Sequence, residues 1–181
     1  PFILDASQSA GVLPVRMDDL GAAFIAMPGH KGLYGPQGTG LLLCNHETKP
    51  LLFGGTGSLS LPQEMPEDMP DRLEGGTHNM PGIAGLLEGI RFVKRRGVDK
   101  ICRQEQNLTA YAARRLELMD DVRIFTDGDL INQTGVLSFL VANRDCEEVG
   151  EQLARRGVAV RAGLQCAPLA HRTVGTLKSG T

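Results

Sequence analysis

Two short segments of the chain carry residues that together could hold a carbonyl compound. Asp5 ends an apolar run, and Gln8 follows it three residues later. His30 and Lys31 lie in a glycine-rich loop that follows a second apolar run. A lysine amine can form a Schiff base with an aldehyde, and a carboxylate can keep a ring nitrogen protonated. The order of these residues therefore predicts a site for a carbonyl cofactor.

Each part of this pattern is weak when taken alone. A lysine in a loop is usually solvated, and an aspartate at the end of a strand often caps a turn. Short motifs of this kind also occur by chance. The prediction therefore depends on the joint pattern and on no single residue.

The composition is that of an ordinary globular protein. The 181 residues are 41% hydrophobic and 22% charged, with a net charge of −2, which allows one large domain or parts of two. With no Trp, two Tyr and no basic patch, we expect no nucleic-acid partner. The apolar runs are too short to span a bilayer, so we expect no membrane association either.

The four cysteines are widely separated and form no C-x-x-C pair, so the sequence predicts no metal site. Nothing indicates secretion, so we expect free thiols and a cytoplasmic location. A cysteine is most often a small buried hydrophobe, which is our interpretation of Cys44 and Cys102. Cys146 begins a helix and could be either a buried hydrophobe or a functional thiol. Cys166 follows a Gly-Leu-Gln loop, which favours exposure.

The first half of the chain is typical of an α/β domain. Apolar runs punctuated by Gly and Pro predict buried strands of a mostly parallel or mixed sheet. Ligands bind beyond the strand ends of such sheets, so we expect Asp5 and Lys31 to face one pocket. The predicted elements are strands at 2–5, 22–27 and 40–44, a turn-rich segment at 50–81, and helices that begin at Pro81 and after Gly97.

The second half predicts a smaller α+β domain. We place residues 1–95 in a large domain and residues 96–181 in the small one. Residues 176–181 contain no clear element, and we expect them to be frayed. The predicted elements of the small domain are strands at 122–125, 135–141 and 158–160 and a helix at 146–156.

Pro1 stands inside an apolar run, with neither an initiator Met nor a leading turn before it. We therefore expect the chain to be a fragment of a longer protein.

Four sequence blocks occur in one order and cover nearly the whole chain. Together they resemble the class V aminotransferase family of fold-type I pyridoxal phosphate enzymes, and within it the cysteine desulfurases and selenocysteine lyases. The resemblance implies the C-terminal part of the large cofactor-binding domain, followed by a smaller α+β domain. The blocks are LDASQSAG at 4–11, GHKGLYGPQGTG at 29–40, EGGTHN at 74–79 and VRAGLQCA at 160–167.

The resemblance also implies roles for single residues. Asp5 would bind the pyridine nitrogen of pyridoxal 5'-phosphate and Gln8 its ring hydroxyl. Lys31 would carry the Schiff base and move protons at the substrate α-carbon, and His30 would contact the phosphate. Thr77 would reach the phosphate bound by a neighbouring subunit, which implies a homodimer with shared sites.

The same resemblance assigns the reaction to Cys166. Its thiolate would attack the sulfur of L-cysteine, become a persulfide, release L-alanine and pass the sulfur to an acceptor protein. Arg161 would line the substrate end of the pocket.

The sequence departs from the family pattern at Pro28, where the family often has a phosphate-binding Ser, and at Leu164 and Gln165, where many relatives have His. Family members are longer at the N-terminus and have a substrate-binding arginine beyond Cys166. We therefore expect this chain alone to bind the cofactor weakly or not at all and to lack turnover. Two alternatives stay open: a transaminase or selenocysteine lyase, and a non-catalytic remnant of the fold.

Overall fold

The computed structural model describes residues 1–55, 59, 61–128, 130 and 132–181. They form two compact units, Pro1–Ile101 and Cys102–Thr181. The division falls within a helix, a few residues after the boundary predicted at 95/96. None of the helices in the described ranges is both long and apolar enough to cross a membrane.

The first unit contains a three-stranded mixed sheet whose strands lie in the order β1-β2-β3. β1 runs parallel to β2, with Asp5 opposite Ala26, and β3 is antiparallel to β2. Because the ends of parallel strands meet at one edge of a sheet, Asp5 and the loop after β2 emerge on the same side. The strands are β1 (Ile3–Asp5), β2 (Phe24–Pro28) and β3 (Gly40–Cys44).

The connection between β1 and β2 contains a short helix that the sequence did not predict, α1 (Met17–Leu20). Four residues are too few to show a helical period. The core of the unit is built from three alanines and three larger aliphatic side chains. Its buried members are Ala6, Ala10, Ala22, Ile25, Leu33 and Leu86.

The long helix α2 (Met80–Arg96) confirms the helix predicted from Pro81. The Asn79 side chain caps its first turn by accepting a hydrogen bond from the Gly82 amide at 3.0 Å. The helix ends at Gly97, whose φ of 85° suits a residue without a Cβ. A Cβ built on Gly89 would lie 2.2 Å from the Leu33 carbonyl oxygen, so the helix packs backbone against backbone there.

The second unit contains a two-stranded antiparallel sheet and helices on the chain before and after it. The Asp145 carboxylate caps one of these helices by accepting hydrogen bonds from the Glu147 and Glu148 amides at 2.8 and 3.2 Å. The elements are α3 (Val98–Leu116), which starts in the first unit, β4 (Val122–Phe125), β5 (Ser138–Val141), α4 (Cys146–Arg155) and α5 (Pro168–Val174).

Two strand predictions in this unit need correction. Residues 158–160 form no strand: the Val158 amide bonds to the Leu153 carbonyl at 3.0 Å and so completes the end of α4. The strand predicted at 135–141 begins only at Ser138. A run of apolar β-branched residues forms a strand only where a neighbouring strand pairs with it. The periodicity of the run does not show whether such a strand is present.

The prediction that residues 176–181 are frayed was also wrong. Thr176 is only 2% exposed, and its hydroxyl lies 2.8 Å from Nδ1 of His171 in α5, a helix that the sequence analysis missed. Gly163 and Thr181 exchange two backbone hydrogen bonds, each 3.1 Å long. The segment was expected to fray because it contains no clear element, but its polar groups find partners within the protein.

A pair of glycine substitutions tests the packing of α2. Gly89→Ala should lower the free energy of unfolding by about 1–3 kcal/mol, because the new methyl group would overlap the Leu33 carbonyl. Gly150→Ala in α4 is the matched control, since its Cβ would have 3.4 Å to the nearest atom, on Ala162. The control should gain up to about 1 kcal/mol from helix propensity. Chemical denaturation measures both, and a stabilised Gly89→Ala would contradict the packing.

Candidate functional site

The loop that carries Lys31 is ordered by its own backbone. Its ends are joined because the Gly29 amide donates to the Thr39 carbonyl at 2.8 Å. Within it, the Gly35 amide donates to the Gly29 carbonyl at 2.7 Å and the Tyr34 amide to the Lys31 carbonyl at 2.9 Å. The Lys31 side chain is exposed at the tip of this closed loop, directly beyond β2.

The turn that follows Asp5 packs directly against the Lys31 loop. A Cβ on Gly11 would lie 2.0 Å from the Gly32 carbonyl oxygen, and a Cβ on Gly32 would lie 2.3 Å from the Ala10 carbonyl oxygen. Gly11 also has a φ of 82°. Only glycine at both positions allows the two backbones this approach. The contact holds the Asp5 turn beside Lys31.

Asp5 is kept ionised by its surroundings. The Ser7 hydroxyl and the Ser7 amide both donate to Oδ1, the amide at 2.9 Å. These two hydrogen bonds hold the pKa of Asp5 below its usual value; desolvation opposes them, and the charge of Lys31 adds the smallest contribution in the lowering direction. The second carboxylate oxygen stays available for a cationic N–H partner.

The other predicted cofactor residues in this unit are all exposed. Gln8 lies in the turn after β1, which is closed by the Ala10 amide donating to the Ala6 carbonyl at 2.9 Å. His30 precedes Lys31 on the loop. Thr77 lies on the approach to α2, a segment in which Nδ1 of His78 also lies 3.5 Å from a carboxylate oxygen of Glu74.

In the second unit, Cys166 is exposed, in agreement with its position after a loop. Cys166 and Gln165 both have positive φ angles, 60° and 45°. Cys44, Cys102 and Cys146 are half-buried thiols. Within the described ranges, no three or more His, Cys, Asp or Glu side chains are grouped to hold a metal ion.

A cavity of about 340 Å³ lies along β5 and α4 of the second unit. Its lining is mostly apolar, with Ser138, Arg161, Gln165 and Thr181 as polar members. Cys166 is not part of the lining, so the cavity itself is not assigned to chemistry at that thiol.

A comparison with protein families places this arrangement in a known group. The family model named "Aminotransferase class-V" matches residues 1–179. The chain belongs to this family. Its relatives include a "Probable cysteine desulfurase" of Mycolicibacterium paratuberculosis, 37% identical over 179 residues, which cover 96% of this chain and 26% of that protein.

Solved structures share the fold. The apo structure of a cysteine desulfurase from Thermococcus onnurineus NA1 matches with a TM-score of 0.91 and 35% identity, over 99% of this chain and 46% of the other. A mutant of C-DES with glycine covalently linked to its PLP cofactor has the same fold, with a TM-score of 0.71 and 24% identity, over 86% of this chain and 42% of the other. The chain thus spans a quarter to under half of the length of these relatives.

Three structural contributors were missed by reasoning from the sequence. Ser7 could have been found, because Asp-x-Ser is a common turn in which the carboxylate accepts hydrogen bonds from the residue two positions later. The pairing of Gly11 with Gly32 and the side-chain bonds of Gln165 involve partners in other segments, which no local signal identifies.

Removing the Ser7 hydroxyl tests the electrostatics of Asp5. Ser7→Ala should raise the pKa of Asp5 toward its ordinary value of 3.8, because the hydrogen bond that lowers it most is lost. Since the folded pKa is lowered, the carboxylate stabilises the fold above the unfolded pKa, and this contribution disappears as the pH falls through the folded pKa. NMR titration of the Asp5 carboxyl carbon measures the shift. Ser9→Ala, in the same turn, is the control, and an equal shift there would contradict the assignment.

Proposed function

We propose that the chain is the cofactor-binding and sulfur-accepting part of a pyridoxal phosphate-dependent cysteine desulfurase. The observation that carries the proposal is the ionised Asp5 carboxylate at the same sheet edge as Lys31. The relatives named cysteine desulfurase support the same reaction, although the chain spans less than half of their length.

The donor set fits this cofactor. A carboxylate whose pKa is lowered can hold a protonated pyridine nitrogen, and Asp5 has one oxygen free of the Ser7 hydrogen bonds. The exposed Lys31 amine sits beside it as the covalent attachment point. Gln8 would donate to the ring hydroxyl, and His30 would donate to the phosphate. Thr77 would contribute to the phosphate site of the partner in a homodimer.

When bound, pyridoxal phosphate withdraws electrons from the substrate α-carbon. The Lys31 amine would move protons at that carbon, and Asp5 would hold the protonated ring nitrogen that makes the withdrawal effective. Arg161 would line the substrate end of the pocket.

Cys166 supplies the nucleophile. Its thiolate would attack the sulfur of L-cysteine and form a new S–S bond. The bond between that sulfur and the substrate β-carbon would break, leaving its electron pair on the β-carbon. Protonation of that carbon gives L-alanine, and the sulfur stays on Cys166 as a persulfide for an acceptor protein. The exposure of Cys166 supports this role, since both donor and acceptor must reach the thiol. Four unpaired cysteines fit a reducing compartment, and we place the enzyme in the cytoplasm.

Two cysteine substitutions in the protein at its full natural length test the reaction. Cys166→Ala should abolish the release of sulfide and alanine from L-cysteine, a loss of at least about a hundredfold, because the nucleophile is gone. Cys44→Ala, a half-buried thiol on β3, is the matched control and should keep the wild-type rate.

Alanine and sulfide are measured together in both variants. Unchanged release of sulfide and alanine by Cys166→Ala would contradict the desulfurase proposal. Transamination without release of sulfide would favour the transaminase alternative. Both variants should retain the visible absorption of bound cofactor, since neither residue holds it.

A further inference from the structure

The loop that carries Cys166 has an unfavourable backbone. Gln165 and Cys166 both lie in the left-handed region, with φ of 45° and 60°. This region favours Gly, Asn and Asp, and two successive residues of other types are uncommon there. Interactions outside the local backbone must therefore hold the conformation.

The Gln165 side chain makes such interactions. Its amide Nε2 donates to the Arg161 carbonyl at 2.8 Å, and its Oε1 accepts from the Thr181 hydroxyl at 3.4 Å. The first bond closes residues 161–165 into a ring. The side chain is half-buried, which limits competition from water.

Gly180 and Thr181 also contact the loop that carries Cys166. Gly163 and Thr181 exchange two backbone hydrogen bonds of 3.1 Å. A Cβ on Gly180 would lie 2.9 Å from Cα of Gly163 and 3.0 Å from Sγ of Cys146, so the tail lies directly on the loop. On the other side of the thiol, the Ala167 amide donates to the Leu164 carbonyl at 2.8 Å.

We propose that Gln165 is a positioning residue: its bonds to Arg161 and Thr181 hold Cys166 in the left-handed conformation and so fix the direction of the thiol. The inference rests on the proposed function for its meaning, because a fixed thiol matters only if Cys166 accepts sulfur. It also couples Cys166 to Arg161, the residue expected at the substrate.

A double-mutant cycle tests the proposal. Glycine tolerates a left-handed backbone and alanine does not, so Cys166→Gly should melt about 2–4 °C above Cys166→Ala in the otherwise unchanged chain. Gln165→Met keeps the length of the side chain but removes both hydrogen bonds. In the Gln165→Met background the loop can relax, and the difference in Tm should fall to less than half. Leu164→Met is the matched control and should leave the difference unchanged.

The outcomes are distinct. An equal Gly–Ala difference in both backgrounds would show that Gln165 does not hold Cys166, and no difference in the unchanged chain would show that Cys166 is not constrained. Either result overturns the positioning role and leaves the desulfurase proposal intact. Conversely, sulfide release that survives Cys166→Ala would contradict the proposed function, but it would not affect the result of the double-mutant cycle.

A second measurement applies even if Gln165→Met does not fold. Thr181→Val removes one hydroxyl donor and should speed hydrogen exchange of the Ala167 amide about fivefold, the factor expected for one lost hydrogen bond. Thr181→Ser retains the donor and should restore the original rate. Equal exchange rates in all three proteins would contradict the proposal.

Discussion

The site at Lys31 depends on backbone contacts that only glycine permits. Gly11 and Gly32 bring the Asp5 turn against the lysine loop, and Gly89 brings α2 against the residues that follow Lys31. The loop is thereby held on two sides by main chain, without large side chains between. Main-chain contacts of this kind have few alternative arrangements, so the backbones at Asp5 and Lys31 keep a fixed relation although both side chains are exposed.

Cys166, the other residue that we expect to react, is held in place by different interactions. Cys166 has no glycine at its own position, and its left-handed backbone is maintained by side-chain bonds of Gln165 and by the paired tail. The lysine therefore sits on a loop that its sequence favours, whereas the cysteine sits on a loop that its sequence opposes. Unfavourable backbone held by surrounding bonds is common at functional positions.

Much of the architecture could be predicted from the sequence, for identifiable reasons. The positions of β1, β2 and β3 followed from apolar runs bounded by Gly and Pro, and α2 followed from its period and from Pro81. The expected burial of these strands was wrong for β1 and β3, whose side chains are mostly exposed. The exposure of Cys166 followed from its loop. The order of Asp5, Gln8, His30 and Lys31 along the chain indicated a cofactor site. Failures came where a contact outside the segment decided the outcome: residues 158–160 have no paired strand, and the Thr176 hydroxyl bonds to His171 in α5. The roles of the site residues stay predictions.

Trapping the cofactor on the chain tests the central claim most directly. All five lysines, Lys31, Lys49, Lys94, Lys100 and Lys178, are exposed, so accessibility alone predicts similar labelling. The protein at its full natural length would be treated with pyridoxal phosphate and borohydride, and the labelled peptides that contain these five lysines quantified by mass spectrometry. Reduction also captures weak binding. The account predicts that Lys31 labels at least about tenfold faster than the others, because Asp5 and the loop bind the cofactor there. Equal labelling of all five lysines would contradict it.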